Sequence, residues 1–320
     1  MSWTPPKFLS RNLALGLACT LGLTLLEPML MPAQAQICFF WQACARRRGQ
    51  ASNTRTGGKR TGVIRGGNNS AVPYVITPRH TWLGQPPDRV RWHGVAGVNR
   101  YRVRLWHWAY GRTAPSTVLW ETRVENINEV AVPEVPLQLG GYYSFEVITE
   151  DGVSSNLDEG AYYGGFQLLA SEDYELLRSH LTQVNADNAS ATPEAAALAA
   201  AGVYFLDELY ADALQILTPL ASDPNASDLV HTALGDTYLE TGLNQLALAA
   251  YEQALSIAVA NDETLSAATI QVKLADIYVI LENFDQARQL LLNARQIYLQ
   301  LDNPLEVALL DRRLNALSLL

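Results

Sequence analysis

Along this chain the spacing of hydrophobic positions changes once. From about Val72 to Leu169 apolar and polar residues alternate, the period of a half-buried strand. Val90 and Trp92 alternate with Arg89, Arg91 and His93. Tyr101, Val103 and Leu105 alternate with Arg100, Arg102, Arg104 and Trp106, and Tyr143, Phe145 and Val147 with Ser144, Glu146 and Ile148. Val118, Trp120 and Thr122 form a further set, then Val130 and Val132, and Tyr163 to Leu169 supplies a last strand. Gly97, Gly111, Pro115, Pro133, Pro136, Gly140, Gly141 and Gly152 mark the turns. No long helical pattern intervenes, so residues 72–169 are predicted to form a two-sheet antiparallel β-sandwich.

From Ser171 the period becomes three to four, and Ala, Leu and Glu dominate. This half matches itself. Leu234-Gly235, Tyr238, Gly242, Ala247, Tyr251 and Ala254 reappear forty residues later as Leu274-Ala275, Tyr278, Ala287, Leu291 and Ala294. Thirty-four residues earlier stand Ala200-Ala201, Tyr204, Ala213, Leu217 and Leu220. Small residues at Gly235/Ala275 and Ala247/Ala287 let two antiparallel helices approach, and Tyr238 and Tyr278 fill the space before the next pair. A single helix pair cannot bury its apolar stripe, so residues 171–320 are predicted to stack as an all-α repeat array. The longer second step is assigned to longer helices around Ala254 to Ala268. Asn303 and Pro304 open a last helix, Leu305 to Leu319, that covers the end of the stack.

The first 71 residues fit neither period. Lys7 and Arg11 precede an apolar run from Leu13 to Leu26, too short to span a bilayer, and Ala33-Gln34-Ala35 offers a cleavage site. Residues 1–35 are therefore expected to be a signal peptide for export. Cys38 and Cys44 remain after cleavage and are a possible disulfide in an oxidising compartment. Residues 36–71 carry Arg46, Arg47, Arg48, Arg55, Lys59, Arg60 and Arg65 without one acidic residue, among Gly, Ser, Asn and Thr. A basic, largely disordered linker is expected there, either simply solvated or held to an envelope polymer or an anionic membrane surface. Beyond the leader, no segment is long and apolar enough to span a membrane.

Charge separates the two halves further. The net charge of -9 conceals 15 Lys/Arg against 10 Asp/Glu in residues 36–169 and 6 against 21 in residues 170–320. An acidic helical half argues against nucleic acid as its partner.

Two stretches resemble known families. Val90-Arg91-Trp92 and Tyr101-Arg102-Val103-Arg104-Leu105 resemble the B-strand Trp and C-strand Tyr of fibronectin type III modules. Leu137 to Val147 resembles that module's tyrosine-corner approach to strand F, with Leu139 where the family usually has Pro. The repeats resemble tetratricopeptide helix pairs over about Thr192 to Leu320. The order leader, basic linker, fibronectin-like module and tetratricopeptide helices is similar to a group of exported proteins common in cyanobacteria. These resemblances imply spacing and binding in the periplasm or cell envelope, or after secretion, rather than chemistry.

The chain shows no phosphate-binding loop, dinucleotide fingerprint, zinc-protease motif or nucleophile elbow. His80, His93, His107, His180 and His231 lack ligand spacing, so no metal, cofactor or catalytic residue is expected. Two binding surfaces stand out. The tetratricopeptide resemblance implies a concave groove lined by the first helix of each pair: Leu198, Gly202 and Phe205; Thr232, Asp236 and Leu239; Val272, Asp276 and Val279. The family's clamp for a C-terminal carboxylate uses Lys and Asn there. Asp236 and Asp276 instead favour a basic or partly apolar protein segment, unless they are simply solvated. On the sandwich, Arg102, Arg104, Trp106, Trp108 and Tyr110 share one strand face. That face either packs, its arginines stacking on aromatics such as Trp120, or offers Trp106, Trp108 and Tyr110 as a platform for sugar rings. A non-enzymatic scaffold or adaptor is the leading expectation, and a carbohydrate or cell-wall binding module the alternative. The oligomeric state stays open.

Overall fold

The structure is a computed structural model that describes residues 66–108, 116–161 and 164–318. The leader, Cys38, Cys44 and linker residues 36–65 lie outside the described residues, as does Tyr110.

The alternating half forms two facing sheets. One has the order β1-β3-β6, from Val75–Thr77, Arg89–Trp92 and Glu129–Ala131. The other has the order β2-β8-β7-β4-β5, from Thr81–Leu83, Phe166–Leu168, Tyr142–Thr149, Arg100–Trp108 and Ser116–Glu125. Every odd residue from Tyr101 to Leu105 points inward, where it meets Tyr143, Phe145 and Val147 of β7 and Val90 and Trp92 of β3. All of these are buried, and burial of large side chains contributes roughly 1.5–3 kcal/mol each. The Tyr143 hydroxyl accepts from Gln138 N at 2.6 Å, five residues upstream.

Two features depart from the sequence expectation. The sandwich is not wholly antiparallel, because β2 runs parallel to β8. After β1 the chain turns through Pro78, Arg79 and His80 and crosses from the first sheet to the edge of the second. Strands β1 and β2 are three residues each, and no alternating set was assigned to either.

The second half is a stack of antiparallel helices: α1 Ser171–Asp187, α2 Pro193–Leu206, α3 Tyr210–Ala221, α4 Asp228–Glu240, α5 Asn244–Ala260, α6 Thr264–Ile280, α7 Phe284–Gln300 and α8 Pro304–Leu317. Pairs α2/α3, α4/α5 and α6/α7 are the three repeats, α1 precedes them, and α8 packs on α7. The forty-residue step has a plain cause: α5 and α6 are each 17 residues long, whereas α3 has 12 and α4 has 13. Gly235 is required by close approach, since a Cβ there would stand 2.6 Å from the Tyr251 ring. Within each repeat the turn holds one left-handed residue, Glu208, Gly242 or Glu282. The next N–H then closes on the carbonyl of Tyr204, Tyr238 or Tyr278 at 2.8 Å. The three tyrosines of the sequence pattern thus also mark the ends of the first helices.

The two halves share one another's cores. Tyr74 belongs to the helical core, with Ile76 packed against it, and Ala211 of α3 sits in the sandwich core. The sandwich docks on the turns of the first two repeats. Trp82 N and Thr81 Oγ1 donate to Glu208 O at 3.0 and 3.2 Å, and Arg79 Nε donates to Thr241 O at 2.9 Å. Arg79 and Asp158 are each 2% exposed and pair at 2.7 Å. The other Asp158 oxygen accepts from Gly67 N at 2.7 Å, and Gly66 O accepts from Asn244 N at 3.2 Å. Residues 66–71, expected as the end of a disordered linker, are therefore ordered against both halves. Gly66 has no room for a side chain, because a Cβ there would lie 2.6 Å from the Arg79 guanidinium and 2.9 Å from Gly242 O.

Removing one member of this buried pair leaves the other charge without compensation, at a cost of about 3–5 kcal/mol. Arg79→Ala and Asp158→Ala are each expected to lower stability by that order in chemical denaturation. The double variant Arg79→Met/Asp158→Leu should lose much less than the two single losses combined. Additive losses would show that the pair is not coupled.

Candidate functional site

Three regions bear on function: the inner face of the array, the outer face of the five-stranded sheet, and a cleft between sandwich and helices.

On the inner face the expected groove residues fall on α2, α4 and α6, but they differ in accessibility. Leu198 is buried in the core, whereas Phe205, Thr232, Leu239, Val272 and Val279 are half-buried. The two aspartates are not free for a ligand. Asp236 accepts from Lys273 Nζ of α6 at 2.6 Å and from the hydroxyl of fully buried Tyr251. Burial foremost, then the Asp236 carboxylate, pushes the Tyr251 hydroxyl well up, so it stays a donor. Asp276 pairs with Arg313 of α8. Each aspartate thus binds a cation two helices further along, on α6 or α8, which sequence reasoning did not foresee because Lys273 and Arg313 lie 37 residues further on. The charge that suggested a basic ligand is neutralised internally, and Leu239, Val272 and Val279 leave a mainly apolar strip.

On the sheet face, Arg102, Arg104, Trp106 and Trp108 do lie together, away from the core. Arg104 pairs with Glu121 at 2.6 Å and stands 5.9 Å from the centre of the Trp106 ring. Trp120, expected to stack with the arginines, instead faces inward opposite Leu105 and packs on the sandwich core. The indole N–H groups of Trp106 and Trp108 are tied to Glu146 at 2.9 Å and to Ser144 at 2.8 Å. Their rings are tilted by 41° at 6.4 Å, so these two indoles do not form the flat platform expected for sugar stacking.

The cleft was invisible to sequence reasoning, because its walls come from both halves. It measures about 730 Å³ and lies between the turn after β2, strand β3 and helices α1 and α3. Tyr174, Tyr204 and Asp212 line one part. Asp212 stands in the first turn of α3; its Oδ2 is buried with no hydrogen-bond partner among the described residues. Burial pushes its carboxyl up to about 6. Burial, then the Asp212 carboxylate and Tyr174, pushes the Tyr204 hydroxyl up as well. Arg91 of β3 also lines the cleft, and its buried Nε has no partner among the described residues. The remaining cations are matched: Arg89 pairs with Glu129, and Arg178 with Glu175 at 3.6 Å.

Among the described residues no group of three His, Cys, Asp or Glu side chains is placed to hold a metal ion, and no helix is long and apolar enough to cross a membrane.

The tetratricopeptide repeat family matches residues 227–300, which run from the start of α4 to the end of α7. Such repeats are generally non-catalytic protein-interaction scaffolds. No curated protein matches the chain. Among solved structures, the crystal structure of BtubC (BKLC) from P. vanneervenii is similar at 22% identity and a TM-score of 0.35. That match covers 45% of this chain and 63% of the other, less than two thirds of its length, and at this level of likeness it carries no argument.

Two outcomes follow from the electrostatics. Asp236→Asn, which weakens bonds to a buried tyrosine and a half-buried lysine, is expected to destabilise by about 1–3 kcal/mol. Asp276→Asn, on a more exposed pair, should cost about 0–1 kcal/mol; equal losses in denaturant titrations would refute the distinction. Asp212 has the opposite sign. Its folded-state carboxyl is raised, so the protonated form suits the fold and stability is lost as pH rises from about 4 to about 6. Asp212→Asn should therefore be more stable than the parent by about 1–2 kcal/mol at pH 8. The difference should close below pH 4, and an advantage independent of pH would contradict the assignment.

Proposed function

We propose that this protein is an exported, non-enzymatic scaffold of the periplasm or cell envelope that holds an extended, partly apolar protein segment on the inner face of its helical array. The supporting observation is the arrangement on α4 and α6. Leu239, Val272 and Val279 stay half-buried at the surface while Asp236 and Asp276 are occupied by Lys273 and Arg313. A strip of apolar groups beside satisfied charges recognises side-chain shape, and the rim pairs add discrimination rather than affinity. The sandwich is a fibronectin type III-like spacer in this reading, supported by its strand order and by the Tyr143 contact to Gln138. Export rests on the N-terminal leader pattern, and the basic linker would hold the chain near an anionic envelope surface.

The test uses the full mature chain, because the two halves share core residues. A phage-displayed random peptide library panned on it should yield peptides with recurrent apolar side chains. Their binding should fall about tenfold or more with Val272→Glu/Val279→Glu and little with Asp276→Asn. Peptides indifferent to the valine pair, or no enrichment at all, would overturn the inner face as the working surface.

A further inference from the structure

We propose that the cleft between the sandwich and helices α1 and α3 is a second binding site, for a small zwitterion of the amino-acid or short-peptide class. Its anionic end would sit at Arg91 and its ammonium end at Asp212.

Chemistry and position carry the proposal. Folded proteins rarely leave charged groups against buried surface without partners, because each such group loses hydration and gains nothing. Here two opposite charges are left so in one cleft. The Arg91 guanidinium and the Asp212 carboxylate have no ion pair among the described residues, and each has a buried atom without a hydrogen bond. They do not neutralise one another. Arg91 lies on β3 of the sandwich and Asp212 in the first turn of α3, so the two charges enter the cleft from different elements, with no ion pair between them among the described residues. A ligand answering both must carry a positive and a negative group held apart, which is the property of an amino acid or short peptide.

The surroundings fit each end. At Asp212 the tyrosines supply ring faces and hydroxyls, a setting that favours an ammonium group. Tyr174 is itself fixed, since its hydroxyl accepts from Gln85 Nε2 at 3.2 Å. At Arg91 a guanidinium offers its planar fork to a carboxylate. Other charged groups facing the cleft do not supply the missing partners: Arg89 is held by Glu129 and Asp88, and Arg178 by Glu175. About 730 Å³ lies within the range of small-molecule sites. This site is separate from the inner-face strip, so either can fail without the other.

Binding to the full mature chain would be followed by calorimetry with glycine, diglycine, triglycine and tetraglycine, which differ in the distance between their charges. One length should bind best, and its N-acetylated and C-amidated forms should each bind about tenfold more weakly or worse. Asp212→Asn should abolish the discrimination against N-acetylation but not that against amidation, and Arg91→Met should do the reverse. Stability separates this role from a structural one: Asp212→Asn should raise the thermal midpoint of the unliganded protein while lowering its affinity for the best peptide. Affinity should also increase as pH rises through about 6, as the Asp212 carboxyl ionises. No binding at millimolar concentration by any member of the series would overturn the proposal. So would capping effects that both variants leave unchanged.

Discussion

The architecture depends on one buried ion pair. Arg79 and Asp158 are withdrawn from water between four pieces of chain: the segment at Gly66 and Gly67, the β1–β2 turn, the stretch between β7 and β8, and the α4–α5 turn. An isolated buried charge is expensive, so neither residue tolerates loss of the other. The remaining hydrogen-bonding capacity of the pair goes to backbone groups, Thr241 O, Val75 O and Gly67 N. Those contacts hold the β1–β2 turn on the turn of the second repeat, while Thr81 and Trp82 reach that of the first. Across the same junction a tyrosine of the β half completes the helical core and an alanine of the helical half completes the β core.

What the sequence made legible was what repeats within a few residues or at a fixed step. Alternation from Tyr101 to Leu105 and from Tyr143 to Val147 located the inward faces, because the pleat has period two. The tyrosine and small-residue spacing located the helix pairs, because Gly235 must admit the Tyr251 ring. Although β6 and β8, equally short, were legible, strands β1 and β2 were not. Nor was the parallel pairing of β2 with β8, which depends on a turn that carries the chain between sheets.

The candidate sites were legible to a lesser degree, and the reason is range. Asp236 and Asp276 lie on the first helices, but their partners come from helices 37 residues further on and neutralise the charge from which a basic ligand was inferred. Trp106 and Trp108 share a face as alternation required, yet their hydrogen bonds to Glu146 and Ser144 set the ring tilt, which no alternation pattern encodes. Asp212 carried no local mark at all. Its setting is a cleft whose walls come from both halves of the chain.

The cation–carboxylate pairs that join α4 to α6 and α6 to α8 have a consequence for how such an array can change length. Helix α6 carries both members, Lys273 answering Asp236 of α4 and Asp276 answering Arg313 of α8. Helix α4 has Ala233 where α6 has its lysine, and α8 has Ala316 where α6 has its aspartate. The middle unit is therefore self-compatible at both ends, and a tandem copy of it would find its charges answered on either side. The outer helices each lack one member and act as terminators. A duplication of residues around α6 and α7 would lengthen the stack without stranding a charge, whereas a copy of α4 or α8 inserted within it would leave one unmatched.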